Sequence, residues 1–443
     1  MGKASRFGVT QLPALIWLKN YDLSSLRADM MAAVIVSIML IPQSLAYAML
    51  AGLPAETGLY ASIFPLLAYA LFGTSRTLSV GPVAVVSLLS ANAVGLAHMS
   101  SGIDVLILSM TLALVSGTLM FIMGLFRLGF IANLLSRPVI TGFITAAGIL
   151  IALSQLKHIL GIPLAGHNLP ELVVELAQYS PNSHFLTVVT GVVTIVFLWL
   201  SRAPLTIFLC RFMSKSAASG FTKVAPVGAV ILSILLVSTF DLDHLGVEVV
   251  GHIPAKLPSF TWPELSILLV TTLMPSALMI SLIGYVESMS VAQTLASKRR
   301  QQINPNHELL GLGAANVASA VSGGFAVTGG FSRSVVNFDA GARSPMAGVF
   351  TALGVALASL YLTPYLAFLP KAVLGATIFV AVLTLIEPHE ITFTWKYSKH
   401  DFAAMMVTLC TVLLVGVEAG VIAGVTATIS LILWRTKIGR AHV

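Results

Sequence analysis

Charged side chains are scarce in this sequence, since only 9% of its 443 residues are Asp, Glu, Lys or Arg. Soluble domains carry about 25% charged residues and about 45–50% apolar ones, whereas 57% of the residues here are hydrophobic. That surplus of apolar side chains suits the hydrocarbon interior of a lipid bilayer. The composition therefore excludes an ordinary soluble protein and predicts one that resides in the membrane.

Cysteine is nearly missing, because only Cys210 and Cys410 are present. Two cysteines 200 residues apart exclude a cysteine metal cluster and argue against a disulfide framework. All ten histidines fall in predicted loops or at predicted helix ends. The sequence also lacks an HExxH motif, a nucleophile elbow and paired aspartates. We therefore expect no metal site, no cofactor and no enzymatic activity.

The apolar runs are long and continuous, which favours a bundle of membrane helices over a barrel of short alternating strands. No cleavable signal pattern precedes them. The sequence predicts fourteen membrane segments: 30–50, 57–73, 82–98, 105–126, 131–156, 184–201, 222–240, 265–294, 308–322, 330–340, 345–363, 370–387, 401–417 and 419–435.

The distribution of lysine and arginine agrees with fourteen crossings. If the N-terminus is cytoplasmic, 20 of the 24 basic residues fall on the cytoplasmic side, Lys157, Lys256 and Lys371 fall outside, and Arg333 lies within the membrane. The positive-inside rule expects such a bias. The net charge of +7 thus reflects topology and not nucleic-acid binding. We predict a multi-pass protein of the bacterial inner membrane with both termini in the cytoplasm.

The two halves of the sequence resemble each other. Each opens with a long helix that carries a polar residue midway, Gln43 in the first half and Glu287 in the second. Each then reaches a glycine-containing break 38 to 43 residues later, at Gly81 and at Gly330. Because seven is an odd number of crossings, consecutive repeats must have opposite topology. The predicted fold is an all-α integral membrane protein with a seven-plus-seven inverted repeat.

The first break, Thr77–Pro82, is predicted to start a half-helix inside the membrane. Pro82 suits a first helical position, and Ser79 suits an N-cap. A helix that starts at this depth has unsatisfied N–H groups and a positive dipole end, which attract an anion or a substrate oxygen. The alternative is an ordinary cytoplasmic turn before a helix.

The second break, Gly323–Gly330, has four glycines in eight residues, which a lipid-facing helix does not tolerate. We expect a second helix to begin near Phe331 and to face the start of the first. A phosphate-binding glycine loop is the rival interpretation, but the Gly-Lys-Ser/Thr ending of such loops is missing.

Arg333 lies in the first turn of this second half-helix. An arginine in the membrane costs about 2.5–3.5 kcal/mol and needs an anionic partner. The sequence predicts that Arg333 attracts the substrate, or alternatively that it forms a structural pair with Glu287 or another carboxylate. Burial disfavours an ionised Glu287, while nearby Arg333 stabilises it, so this carboxyl could take up and release a proton as the site fills and empties. A permanent salt bridge is the alternative.

Gln43 and Tyr47 share one face of the first helix and are predicted to line the cavity, or alternatively to hydrogen-bond between helices. Asn316 and Asn337 are expected to hydrogen-bond between helices. The complete predicted substrate-binding set is Gln43, Tyr47, Ser79, Val80, Gly81, Gly330, Phe331, Ser332 and Arg333, with Glu287 in proton coupling.

Four stretches resemble signatures of the sulfate permease (SulP) family, namely Pro42–Ala48, Ser79–Pro82, Glu287–Ser288 and Thr328–Asn337. The resemblance implies a fold like that of the uracil and bicarbonate transporters. Helices 1–4 and 8–11 would form a core domain (residues 1–128 and 262–363), and helices 5–7 and 12–14 a gate domain (residues 129–261 and 364–443). The substrate would sit between the facing ends of helices 3 and 10, and a homodimer is expected.

The resemblance also implies transport of a small inorganic or organic anion, such as sulfate, bicarbonate or a dicarboxylate. Sodium-coupled bicarbonate relatives resemble each other in a hydroxyl residue one turn after the acidic residue of helix 8, where this sequence has Val291. The predicted function is therefore proton-coupled symport by alternating access, with an uncoupled anion channel or an anion exchanger as the alternative.

Family members usually continue into a cytoplasmic STAS domain, which we expect to be absent here. The expected partners are the anion, a proton, membrane lipid and a second copy of the chain.

Overall fold

The computed structural model is mostly helical. It describes residues 12–19, 21–133, 137–201, 205, 207, 210–211, 225–263, 265–386, 388–417, 419–420, 422–424, 426–427 and 430. Both chain ends and much of the predicted fourteenth segment lie outside these residues. So do eight of the basic residues assigned to the cytoplasm: Lys3, Arg6, Arg202, Lys215, Lys223, Arg435, Lys437 and Arg440.

Eighteen α-helices and one two-stranded sheet make up the regular structure of the described residues. In chain order the helices are α1 (Pro13–Lys19), α2 (Leu23–Leu50), α3 (Glu56–Tyr60), α4 (Phe64–Phe72), α5 (Ala84–Ser101), α6 (Val105–Leu125), α7 (Arg137–Leu160), α8 (Leu169–Tyr179), α9 (Phe185–Leu200), α10 (Ala225–Phe240), α11 (Ile267–Lys298), α12 (Pro305–Val321), α13 (Phe331–Asp339), α14 (Met346–Tyr361), α15 (Thr363–Leu366), α16 (Lys371–Val382), α17 (Pro388–Tyr397) and α18 (Lys399–Leu414). The strands are β1 (Val80–Gly81) and β2 (Thr328–Gly329), and 3₁₀ turns cover Leu128–Asn133, Ser180–Asn182 and Leu383–Leu385.

Membrane-crossing helices are evident from length and composition. Six stretches are long and apolar enough to span a bilayer: Leu23–Leu50, Ala84–Ser101, Val105–Leu125, Pro138–Leu160, Ile267–Lys298 and Lys371–Tyr397. Four further apolar stretches are shorter: Glu56–Phe72, Phe185–Leu200, Ala225–Phe240 and Met346–Tyr361. The protein is therefore a multi-pass membrane protein, and the count of fourteen crossings stays a prediction.

Helix occurs in each of the first thirteen predicted segments, with one interruption and several shifted ends. The predicted segment 57–73 is two helices, α3 and α4, separated at Ala61–Ile63. Pro65 explains the gap, because its ring lacks an N–H and would clash with the carbonyl of Ala61 in a continuous helix. Helices α1, α8 and α17 lie outside all the predicted segments.

Polar residues define several helix starts. Asp22 accepts a hydrogen bond from Ser25 N–H (2.9 Å) at the start of α2, and Ser266 accepts one from Leu269 N–H (3.1 Å) at α11. At α12, Asn304 caps the helix, and Pro305 occupies the first turn, where its missing N–H costs nothing. The start of α12 therefore lies three residues before the predicted segment.

The chain divides into two compact units. The first combines Met1–Ala132 with His252–Ala367 and contains α1–α6, α11–α15 and both strands. The second combines Asn133–Gly251 with Phe368–Val443 and contains α7–α10 and α16–α18. Whether these units work as core and gate domains stays a prediction.

Within the first unit, α6 and α12 approach each other through glycines. A Cβ added to Gly313 would lie 2.6 Å from the Phe121 backbone nitrogen, and one added to Gly117 would lie 2.7 Å from that of Val317. Such close backbone contact is typical of small residues at membrane helix interfaces.

Two buried carboxylates hold the loops next to the sheet of this unit. Glu308 of α12 accepts hydrogen bonds from the Tyr69 hydroxyl (2.6 Å) and from the backbone N–H groups of Thr74 (2.8 Å) and Ser75 (2.9 Å). Asp29 of α2 accepts one from the Ser344 hydroxyl (2.6 Å), in the loop after α13. The chain entering β1 and the chain leaving α13 are thus anchored to neighbouring helices.

In the second unit, α7 packs against α9 through Gly191, where an added Cβ would lie 2.8 Å from Ile159 Cγ2. An isolated bridge pairs Val249 with Pro370 ahead of α16. Lys371 and Glu248 form an ion pair of 3.1 Å beside this bridge.

Candidate functional site

Both predicted breaks lie in the first unit, where they pair with each other. Val80 of β1 is opposite Gly329 of β2, and Gly81 is opposite Thr328, in an antiparallel register. One further hydrogen bond, from Gly330 N–H to the carbonyl of Ser79 (3.1 Å), extends the pairing. Part of the extended backbone of each break is therefore satisfied by the other break, as membrane-embedded chain requires.

A helix follows each strand. The helix after β2 is α13, which begins at Phe331 as predicted, with Gly330 in extended conformation before it. The helix after β1 is α5, which begins at Ala84 with Val83 before it. Because the strands are antiparallel, the two helices leave the pair in opposite directions, with their first, unsatisfied N–H groups near its ends.

The predicted cap at the first break is wrong. Ser79 lies before β1, and its N–H donates to the Ser334 hydroxyl (2.9 Å), while Pro82 also precedes the helix. Pairing with β2 keeps Val80 and Gly81 extended, so α5 starts later than the proline alone suggested.

Arg333 lies in the first turn of α13 and is almost fully buried, with 3% of its surface exposed. Its Nη1 donates to the carbonyl of Pro82 (2.7 Å), so the side chain reaches the end of β1. Its Nε and Nη2 are buried and have no hydrogen-bond partner among the described residues. An unpaired guanidinium in this setting is costly, and a bound anion would supply the missing acceptors.

Glycines make the room that this guanidinium occupies. A Cβ added to Gly81 would lie 3.3 Å from Arg333 Nη2, and one added to Gly330 would lie 3.0 Å from the same atom. Gly81 and Gly330 therefore border the Arg333 guanidinium, and a side chain at either position would crowd it.

Glu287 and Tyr47 join Arg333 in this region. Glu287 lies on α11, and its Oε2 is buried without a hydrogen-bond partner among the described residues. Glu287, Arg333 and the Tyr47 hydroxyl of α2 lie within electrostatic range of one another. In the described part of the chain, Glu287 and Arg333 form no ion pair, so the permanent salt bridge is not what this structure shows.

The remaining predicted residues border the same region less directly. Gln43 is half-buried one turn before Tyr47 on α2, and its amide makes no hydrogen bond to the described residues. Phe331 and Ser332 are exposed at the start of α13, and half of the Phe331 surface is accessible. Their roles in substrate binding stay predictions.

Several buried hydroxyls that support the site were missed by the sequence analysis. Ser288 lies next to Glu287 and accepts from Gly329 N–H (2.8 Å), and it also contacts the Thr328 hydroxyl (2.6 Å). Ser334 donates to the carbonyl of Gly330 (2.7 Å). Ser288 directly follows Glu287, and Ser334 directly follows Arg333. This adjacency to the two charged residues is the sequence feature that could have identified them.

Asn316 and Asn337 bind the extended backbone instead of bridging helices. Asn316 Nδ2 donates to the Val327 carbonyl (2.8 Å), and Val327 N–H donates back to Asn316 Oδ1 (2.9 Å). Asn337 Nδ2 donates to the carbonyl of Thr77 (3.0 Å), before β1. The expected inter-helix role is corrected accordingly, because these breaks expose backbone groups that need partners.

The substitution Gly330→Ala should lower anion affinity while leaving the charges unchanged. The new Cβ would lie 3.0 Å from Arg333 Nη2 and 3.2 Å from Nε, so the guanidinium would have to shift. We expect binding to weaken roughly threefold to tenfold, since part of a charge-assisted contact is lost. Equilibrium binding of a radiolabelled anion to purified protein measures this. Gly95→Ala is the control, because nothing lies within 4 Å of that Cβ, and equal losses in both variants would contradict the expectation.

A model of the sulfate permease family matches residues 26–408 of this sequence. The chain belongs to this family. It is similar to the chloroplastic sulfate transporter 4.1 of Arabidopsis thaliana, with 34% identity over 96% of this chain and 61% of that protein. It is also similar to a probable sulfate transporter of Mycobacterium tuberculosis, with 32% identity over 96% of this chain and 73% of that protein. The chain thus spans 61% of the length of its Arabidopsis relative.

Two solved structures of transporters resemble this one. The murine Slc26a9 anion transporter in an inward-facing state has a TM-score of 0.87 and 27% identity, covering 98% of this chain and 73% of that one. The transmembrane domain of the cyanobacterial bicarbonate transporter BicA has a TM-score of 0.75 and 21% identity, covering 92% of this chain and 98% of that one, and it shares the fold. The relatives of this chain are transporters and not enzymes, as the sequence analysis predicted.

Proposed function

We propose that this chain is the transport unit of a secondary active transporter for a small anion, working by alternating access. The observation that carries the proposal is Arg333, a buried guanidinium with two donor groups, Nε and Nη2, that no described residue satisfies. It lies where the backbone of the two breaks meets the starts of α5 and α13. An oxyanion there would accept hydrogen bonds from the charged guanidinium. The positive ends of the two helix dipoles would also stabilise it.

The substrate-binding set in this proposal is the predicted one, Gln43, Tyr47, Ser79, Val80, Gly81, Gly330, Phe331, Ser332 and Arg333. A sulfate-like ion, bicarbonate or a dicarboxylate has the oxygens that these donors need. The names of the relatives, which are sulfate transporters and an anion transporter, support this substrate class.

Protons are the proposed coupling ion, and Glu287 is the proposed carrier. Glu287 lies within electrostatic range of Arg333, but among the described residues the two form no ion pair and the Oε2 atom of Glu287 has no hydrogen-bond partner. A protonated carboxyl at this place would leave Arg333 available to the anion, and loss of the anion would favour loss of the proton. Anion and proton would then bind together and leave together.

The proposed topology has fourteen crossings in a seven-plus-seven inverted repeat, with both termini in the cytoplasm. The proposed location is the inner membrane of a bacterium, where the protein would form a homodimer. The antiparallel pairing of β1 with β2, each followed by a helix, supports two repeats of opposite direction. The strong bias of lysine and arginine to one side supports the orientation.

Uptake into proteoliposomes tests the function. We expect radiolabelled sulfate, bicarbonate or a dicarboxylate to accumulate in liposomes that contain the protein, faster when the outside is more acidic than the lumen. Uptake that ignores the proton gradient for every anion would contradict symport. Accumulation that requires an exchangeable anion inside would favour the exchanger, and steady single-channel currents would favour the channel.

A further inference from the structure

A second basic site lies in the first unit, apart from Arg333. It is a cavity of about 620 Å³ lined by three arginines, Arg76, Arg299 and Arg343, and by the aromatic side chains of Trp17 and Tyr21. No carboxylate lines it among the described residues. A cavity of this size that gathers positive charge favours an anionic ligand larger than a halide.

The three arginines come from separate parts of the chain. Arg76 lies in the loop between α4 and β1, Arg299 follows α11, and Arg343 follows α13. In the described part of the chain none of them forms an ion pair with a carboxylate. Burial and the nearby charges of Arg343 and Arg76 lower the pKa of Arg299, while the carboxylates of Asp29 and Asp339 act in the opposite direction without forming an ion pair with it among the described residues. An anion between the three arginines would relieve the repulsion among them.

Two of the arginines are held in place by the protein. Arg299 donates to the carbonyls of Ala342 and of Phe338 (2.7 Å for the latter), and its guanidinium lies 4.2 Å from the centre of the Phe338 ring. Arg343 Nη1 donates to the Ser24 hydroxyl (2.6 Å). Arg76 is exposed and makes no hydrogen bond to the described residues. Each guanidinium has five N–H donors, so all three keep donors for a ligand.

The cavity is separate from the Arg333 site, although α13 connects the two. Arg333 is in the first turn of α13, whereas Arg299 binds carbonyls at and after the last turn. A nine-residue helix is about 12 Å from first to last residue, at 1.5 Å per residue. A ligand in the cavity would therefore not occupy the position between β1 and Arg333.

The neighbourhood of the cavity has the character of a membrane surface. Helix α1 buries Pro13 and Ala14, while Leu15 and Leu18 are 65% and 46% exposed on the same short helix. The Trp17 indole is half-buried and donates to the carbonyl of Ala70 (3.3 Å). Exposed leucines next to an anchoring tryptophan are typical of a helix that lies in the lipid–water interface.

We propose that this cavity binds a phosphate group through Arg76, Arg299 and Arg343, with the headgroup of an anionic phospholipid as its source. Arginine forks match phosphate oxygens geometrically, and basic pockets at the ends of membrane helices suit anionic headgroups. The acyl chains would follow the exposed leucines of α1 into the bilayer. A free phosphate compound presents the same chemistry without the chains.

Binding of dioleoylphosphatidylglycerol to the full chain in detergent, measured by native mass spectrometry against dioleoylphosphatidylcholine, tests the site. We expect the wild type to prefer the anionic lipid by roughly tenfold or more, because charge-assisted contacts are made only with it. The double variant Arg76→Gln/Arg343→Gln should lose this preference. Its matched control is Arg27→Gln/Arg300→Gln, which removes two exposed arginines that do not line the cavity and should keep the preference.

Calorimetric titration with inorganic phosphate distinguishes a lipid headgroup from a free phosphate compound as the source of the bound phosphate group. If phosphate binding, and not lipid preference, depends on Arg76 and Arg343, the site binds a free phosphate compound. If the double variant equals its control with both probes, the proposal is overturned. Arg333 is intact in all three proteins, so this result does not depend on the proposed transport function.

Discussion

Replacing Arg333 with alanine should abolish anion binding or weaken it by roughly tenfold or more. The expected loss follows from the contact that is removed, because a charge-assisted hydrogen bond from a buried guanidinium contributes about 1.5–3 kcal/mol, and about 1.4 kcal/mol is tenfold in affinity. The two donors of Arg333 that lack partners are the ones an anion would use. Equilibrium binding of the radiolabelled anion that the wild type takes up measures the change.

Two controls separate lost recognition from lost structure. Removing Arg333 also leaves the Pro82 carbonyl without its donor, so thermal unfolding of the variant in detergent should be compared with that of the wild type. Arg333→Lys keeps a charge but not the planar fork, and it should bind with intermediate affinity. Arg300→Ala removes an exposed arginine and should bind normally. A folded Arg333→Ala protein with wild-type affinity would remove Arg333 from the binding site.

Replacing Glu287 with glutamine should leave anion binding largely intact and uncouple uptake from the proton gradient. Glutamine resembles the protonated carboxyl in shape and charge, so the site would stay in the form proposed to accept the anion. It has no proton to release, so acidifying the outside of proteoliposomes should no longer accelerate uptake. Initial rates measured with and without an inward proton gradient give this comparison directly.

Glu56→Gln is the matched control for this experiment. Glu56 lies in the same unit, is half-buried in α3 and makes no hydrogen bond to the described residues, so its variant should keep the wild-type proton dependence. A Glu287→Gln protein whose uptake still rises with external acidity would refute the proposed role of this carboxyl. Loss of binding in that variant would instead indicate that Glu287 helps to shape the anion site.

Much of the second break could be predicted from residue types. Four closely spaced glycines follow the end of one helix, and the next begins at Phe331, because several glycines together lower helix propensity more than a single one does. The first break was predicted less well, since α5 starts at Ala84 and not at Pro82. Its start depends on the pairing of Val80 and Gly81 with a segment almost 250 residues away, and local sequence does not carry that information.

The sequence alone determined that the chain is a membrane protein and that its helices are interrupted at two related places. It also identified Arg333 and Glu287 as charged residues within predicted membrane segments. Composition, glycine content and the positions of charged residues are local properties, so no tertiary structure was needed for these conclusions. Only the tertiary structure decided that the two breaks form one sheet, that Arg333 reaches Pro82 while leaving two donors unused, and that it forms no ion pair with Glu287. It also brought Arg76, Arg299 and Arg343 to one cavity. These features depend on distances between residues far apart in the chain, and such distances are set by packing and backbone hydrogen bonding and not by any one segment.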